Sequence, residues 1–252
     1  MAQIIALAGK GGTGKTTTAA LLIRYLLRQE QTPILAVDAD PNMNLNELLG
    51  LKVELTLGDV KNELLSGVPQ GMARSDFMDL RLNEAIVEAD GFDLISLGLP
   101  EGPGCYCAAH SFLAQSLEKL IKNYPQIIVD NEAGMEHLSR LNLRNIDHLL
   151  IVSDASKRGV MTAGRIADLI KPLRLAVKQV WLLVNRSPKN VPSELDTYVR
   201  STCAAKQMQF LGYLPESLEL VEAEITGQSF LNLPDELEVI QCAQNFFANL
   251  LK

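Results

Sequence analysis

The residues equipped for chemistry begin with Gly9-Lys10-Gly11-Gly12-Thr13-Gly14-Lys15-Thr16, a glycine-rich run closed by a lysine and a threonine. An apolar run, Ile4-Ile5-Ala6-Leu7-Ala8, precedes it, and an apolar-periodic segment from Thr17 to Leu27 follows. Strand, glycine-rich loop and helix form the context in which this pattern binds phosphate. Glycines let successive backbone N–H groups turn inward around phosphate oxygens, and the helix N-terminus adds the positive end of its dipole. Gly9, Gly11, Gly12, Thr13, Gly14, Lys15, Thr16 and Thr17 are therefore expected to hold a nucleoside triphosphate. Lys15 is placed to neutralise the β- and γ-phosphates, and the Thr16 hydroxyl to ligate Mg²⁺. Lys10 is not needed by the general pattern.

Further polar residues stand where apolar runs end. Asp38 and Asp40 follow Pro33-Ile34-Leu35-Ala36-Val37, and Pro41 stops that strand. Open α/β sheets place their ligands at such strand ends. Asp130 closes Gln126-Ile127-Ile128-Val129, with Gly134 shortly after it. In P-loop ATPases a carboxylate here holds Mg²⁺, usually through water, and the glycine lets the next segment respond to the γ-phosphate. Asn185 and Pro215 end two later runs, Val180–Val184 and Phe210–Leu214.

Cys105 and Cys107 pose a different chemistry. They lie in a Gly/Pro-rich loop, where cysteine has little packing reason to be, and they precede a helix whose N-terminus would help stabilise thiolates. Two thiolates are half of a tetrahedral sulphur site, which suits Zn²⁺ and other thiophilic metals. A two-fold dimer would supply the other two, giving Cys₄ across the symmetry axis. His110, three residues beyond Cys107, is in range to be a third ligand within one chain and is read instead as a cap-region residue. Cys203 and Cys242 sit singly on predicted helices and read as core.

Composition bounds the rest. The chain has 252 residues, 47% of them hydrophobic, and a net charge of −7 with no segment that collects lysine and arginine. That balance argues against nucleic acid as the main partner. No apolar run approaches the roughly 20 residues that span a bilayer. The early first strand leaves no room for a signal peptide, and four cysteines do not make a disulfide framework, so a cytoplasmic setting is expected. Strands at 4–8, 33–37, 92–97, 126–130, 148–152, 180–185 and 210–215 alternate with helical patterns, among them 111–122, 135–144, 159–170 and 194–205 and two more at the C-terminal end. The expected fold is a single α/β domain over 1–252, a three-layer P-loop NTPase fold whose mostly parallel sheet is covered by helices on both faces. Residues 51–90 read as a peripheral insertion, with Thr56 capping a short helix through Leu65, and 98–110 as a C-x-C metal loop.

Lys-Gly-Gly-Thr-Gly-Lys-Thr-Thr resembles the deviant loop of a superfamily that includes partition and septum-placing ATPases, the nitrogenase iron protein and metal-insertion ATPases. Taken with Val-Asp-Ala-Asp-Pro, Cys-Tyr-Cys, Ser-Phe-Leu and Ala-Gly-Met-Glu-His-Leu-Ser-Arg in that order, the chain resembles the CooC-type nickel-insertion ATPases along nearly its whole length. The resemblance implies a homodimer that binds nickel or zinc at the paired cysteines and couples ATP hydrolysis to metal delivery into carbon monoxide dehydrogenase or acetyl-CoA synthase. It implies that Lys10 reaches the partner's nucleotide, Asp40 orients the attacking water, Asp38 supports the Mg²⁺ shell, and Glu136 and His137 relay nucleotide state. It also implies that Asn185 reads the base with Pro215 beside it. Pro188 stands where guanine-specific proteins carry an aspartate, which favours ATP over GTP. Thr13 replaces a commoner valine, and His110 is outside the pattern.

Two relatives of other function fit less well. A positioning ATPase needs a basic DNA-binding face or membrane helix, yet Glu236–Lys252 holds one lysine and no arginine. An iron–sulphur protein of the superfamily takes its second cysteine just beyond the Asp130 segment, and no cysteine lies between Asp130 and Leu150.

Overall fold

Strand β1 (Gln3–Gly9) carries the glycine-rich loop, and it sits in the interior of the sheet because both of its faces are apolar. Ile5 and Leu7 point into one core layer, Ala6 and Ala8 into the other. Strand β2 (Ile34–Ala39) divides in the same way, with Ile34 and Ala36 on one side and Leu35 and Val37 on the other. This period-two split with no polar face is what a parallel sheet covered on both sides requires. In a computed structural model, which describes residues 2–98, 115, 117–132, 135 and 145–252, eight strands form one sheet in the order β3-β4-β2-β5-β1-β6-β7-β8. The remaining strands are β3 (Val87–Ala89), β4 (Phe92–Ser96), β5 (Gln126–Asn131), β6 (Asn145–Asp154), β7 (Ala176–Ser187) and β8 (Gln209–Pro215). All neighbours pair parallel except β3 with β4.

Helix α1 (Lys15–Arg28) lies on the layer that also holds Phe230 and the C-terminal helix. α2 (Leu45–Leu49) follows β2, and its Leu45 and Leu49 join the same layer. The opposite layer is covered by α3 (Leu57–Ser66), α4 (Arg74–Glu84), residues 117–121, α5 (Lys157–Asp168) and α6 (Ser193–Lys206). α7 (Leu218–Thr226) and α8 (Glu238–Leu250) close the chain.

The stretch 51–90 holds more structure than the sequence pattern disclosed. Thr56 does cap α3: its hydroxyl accepts from the Asp59 N–H at 3.1 Å, and its own N–H donates to the Asp59 carboxylate at 2.9 Å, a reciprocal capping box. A second helix, α4, follows the Gly/Pro break and is tied to α3 by Arg81 and Glu63 at 2.6 Å. Strand β3 then adds to the sheet edge. The helix start at Ser111, all of the expected 135–144 helix but its first residue, Cys105, Cys107, His110, Gly134, Glu136 and His137 lie outside the described residues.

Phe230 is fully buried between α1 and α2 in the layer that supports the glycine-rich loop's helix. Phe230→Ala is expected to cost about 3–5 kcal/mol, read as a lower urea midpoint with unchanged slope.

Candidate nucleotide site

Strand register gathers the site. Leu7 of β1 pairs with Asp130 of β5, and Asp38 of β2 pairs with Asp130 from the other side. The two carboxylates therefore stand on adjacent strands at the carboxyl end of the sheet, beside the loop that leaves β1. Asp154 of β6 pairs with Asn185 of β7, and Ser187 with Pro215 of β8, along the same sheet end.

The loop holds its shape through its own backbone. The Thr13 hydroxyl donates to the Lys10 carbonyl at 2.8 Å, and the Lys15 ammonium reaches that carbonyl at 3.4 Å. A methyl group added to Gly11 or Gly12 would meet no atom within 4 Å, so this side of the loop is an open cradle. Gly14 is the reverse case. It is the N-cap of α1 with φ 89°, and a Cβ there would sit 2.1 Å from Asn185 Nδ2. Only glycine fits that conformation and that contact. The Asn185 amide donates to the Thr13 carbonyl at 2.9 Å, and its oxygen accepts from the Arg186 N–H. The Arg186 guanidinium donates to the Gly12 carbonyl at 3.2 Å. The end of β7 thus clamps the loop through two side chains. Asn185 was expected as a base reader, and the described contact is with the loop; an amide nitrogen carries a second N–H for a further acceptor. Arg186 was not singled out from sequence, and its one signal is a left-handed backbone (φ 51°) that no motif announces.

The electrostatics centre on Asp130, which is 1% exposed with neither carboxylate oxygen in a hydrogen bond among the described residues. Burial pushes its pKa up to about 7, the neighbouring charges of Asp38 and Asp40 add to that, and the Thr16 hydroxyl and Lys15 oppose it. Thr16 is near enough to act on the charge without closing a hydrogen bond of normal geometry. A hydroxyl and an orphaned carboxylate are hard oxygen donors, the set that Mg²⁺ prefers. Lys15 is buried too, and burial pulls it below the usual lysine value while Asp130, Asp40 and Glu132 pull it back.

Asp38 is fully buried, and its oxygens accept from the Asp40 and Leu45 N–H groups at 3.1 Å each. It organises the turn after β2 and holds the first residue of α2. Burial still pushes it up to about 6. Asp40 closes an Asx turn by accepting from the Asn42 N–H at 2.9 Å, and is half-buried at the rim. A cavity of about 590 Å³ opens beside Thr16 and Thr17, with Asn44 and Glu47 on one side and Glu224 of α7 and Gln228, just beyond that helix, on the other. These four belong to no sequence motif, because they come from two segments far apart in the chain. Among the described residues no group of three or more His, Cys, Asp or Glu is arranged to hold a metal ion, and no helix is long and apolar enough to cross a membrane.

A sequence model of the CobQ/CobB/MinD/ParA nucleotide binding domain matches residues 4–230. The chain is similar to an uncharacterized ATP-binding protein of Methanocaldococcus jannaschii, 39% identical over 94% of each chain. It is also similar to the carbon monoxide dehydrogenase accessory protein CooC of Rhodospirillum rubrum, 29% identical over 91% of this chain and 89% of that one. Among solved structures it resembles the septum site-determining protein MinD of Pyrococcus horikoshii complexed with Mg-ADP. There the TM-score is 0.71, with 21% identity over 100% of this chain and 97% of the other.

The pKa of Asp130 rises on folding, so its contribution to stability is complete below the ordinary aspartate value of 3.8 and is lost as pH climbs to about 7. In nucleotide-free protein, Asp130→Asn should therefore gain on wild type across that window, levelling off above it at up to about 4 kcal/mol. Urea unfolding at several pH values checks this. Gly14→Ala should abolish nucleotide binding while leaving a folded protein, as read by calorimetry beside circular dichroism.

Proposed function

We propose a function from one premise: the chain belongs to the CobQ/CobB/MinD/ParA nucleotide-binding family of P-loop ATPases. On our reading it is an ATP-dependent metallochaperone. It binds nickel, or zinc, at Cys105 and Cys107 of two subunits, and couples ATP binding and hydrolysis to insertion of nickel into carbon monoxide dehydrogenase or acetyl-CoA synthase. Asp130 carries the nucleotide half of this reading, as a buried carboxylate without a hydrogen-bond partner among the described residues, facing Lys15 and Thr16 below an open glycine cradle. The delivery half is supported by the C-x-C pair, in a chain similar over about nine-tenths of its length to a carbon monoxide dehydrogenase accessory protein.

The roles follow from position. Backbone N–H groups of Gly9 to Thr17 cradle the phosphates, and Lys15 neutralises the charge that develops on them. Thr16 and Asp130 would hold Mg²⁺, which when bound would neutralise the negative charge of the phosphates. Asp40 orients a water in line with the γ-phosphorus; the new P–O bond forms as the bond to the ADP oxygen breaks. Lys10, exposed at the loop, serves the nucleotide of the partner subunit in a homodimer. Asp38 keeps the turn that carries Asp40. Asn185 and Pro215 flank the base. Gly134 follows the γ-phosphate. One described link supports coupling to the metal loop: the Leu97 N–H donates to the Asp38 carbonyl at 2.7 Å, and Gly58 donates to the Leu97 carbonyl at 2.8 Å. The chain leaving β4 for the C-x-C segment is thus fastened to the strand end that bears Asp38. Nucleic acid and membrane have no part in this reading, and its setting is the cytoplasm.

Nickel and zinc binding with oligomeric mass, for wild type and a Cys105→Ser/Cys107→Ser double variant, is the deciding test. We expect one metal per dimer, lost in the variant while ATP still binds. Metal binding unchanged by the variant would remove the delivery role and leave an ATPase of other purpose. Lys10→Ala should keep ATP binding and lower turnover by about a hundredfold or more, since a charge supplied across an interface acts in the transition state.

A further inference from the structure

Strand β7 outruns its neighbour. β6 pairs with it from Ala176 onwards, but β8 begins to pair only at Trp181. Ala176–Val180 is therefore paired on the β6 side and has no strand on the other among the described residues. Five residues at about 3.3 Å each make a notch roughly 16 Å long in the sheet edge. The turn before β8 borders it, where Gln207 ends α6 in a left-handed conformation (φ 55°). The result is a cavity of about 560 Å³ between the C-terminal end of α5, β7 and the α6–β8 turn, at the end of the sheet away from the glycine-rich loop.

The lining is basic in an acidic protein. Lys171, Lys178 and Lys206 face this cavity with one aspartate, Asp168, while the whole chain carries −7. Lys206 is paired with Asp168 at 2.7 Å and Lys178 with Asp147 at 2.5 Å. Lys171 is exposed and makes no ion pair among the described residues. Gln179, Gln207 and Gln209 add exposed amides that can donate and accept.

We propose that this notch is a docking site for an extended acidic peptide segment of a partner protein, which adds as a strand along Ala176–Val180 in the place that β8 leaves vacant. Main-chain hydrogen bonds to the free edge supply affinity, and the lysines select side chains. The alternatives fit worse. Two copies of this edge would bring their lysines together, which is how such edges avoid self-pairing. A nucleic-acid duplex is far wider than this notch, and the surrounding negative charge opposes it. The site lies apart from the nucleotide loop and does not depend on the metal-delivery reading.

The test uses the full chain and a labelled, end-blocked peptide that alternates threonine and glutamate. Fluorescence anisotropy is measured for this peptide and for one N-methylated at alternate residues. Hydrogen exchange of Ala176–Val180 is followed in parallel. We expect binding at low salt, new protection of those amides, and at least about a tenfold loss with the N-methylated peptide. Lys178→Glu and Lys171→Glu should each weaken binding without altering ATP affinity; Lys171→Glu breaks no described ion pair and serves if the other variant folds poorly. Equal binding of the N-methylated peptide would reduce the effect to general charge attraction and overturn the proposal. So would the absence of binding, unprotected edge amides, or a preference of this face for duplex DNA or anionic vesicles.

Discussion

The structure turns on a carboxylate that its surroundings do not satisfy. Asp130 sits on a central strand, walled in by neighbours on both sides, with no hydrogen bond of normal geometry among the described residues and a second carboxylate, Asp38, paired beside it. Left alone, such a group favours its protonated form. Lys15, already in place beside it, pulls the other way. The parallel sheet makes this arrangement possible. It ends several strands at one level and buries both faces, so the carboxylates are held away from water without any long loop to position them.

Around that centre the chain divides its polar residues into those that build and those that wait. Asp38 belongs with the builders: both of its oxygens are spent on backbone N–H groups of the following turn. Asn185 and Arg186 are builders as well, bracing the glycine-rich loop from the end of β7. Asp130 and the cradle at Gly11 and Gly12 are left unengaged. Pre-setting the loop lowers the ordering cost that a ligand would otherwise meet.

How much of this could be read from sequence depended on whether the signal was local. The loop, the aspartates at strand ends and the alternation of strands with helices were legible, because each is a short pattern with a fixed physical meaning. Helix α2 was missed since five residues hardly establish a period, and β3 since three residues give no alternation to read. α4 was hidden behind Gly67, Pro69 and Gly71, which do break the chain but only to begin another helix. Arg186, Glu224 and Gln228 were out of reach for a different reason. Arg186 meets the loop, and Glu224 and Gln228 line the cavity beside Thr17, only across the fold, and no spacing along the chain encodes that.

The far edge of the sheet carries a consequence of its own. β3 is three residues long, runs against the direction of every other strand, and holds Glu88 outward at its middle. An edge so brief and reversed offers almost no template on which a like chain could continue the ladder. That side of the sheet is thereby insulated against ladder growth into a fibre.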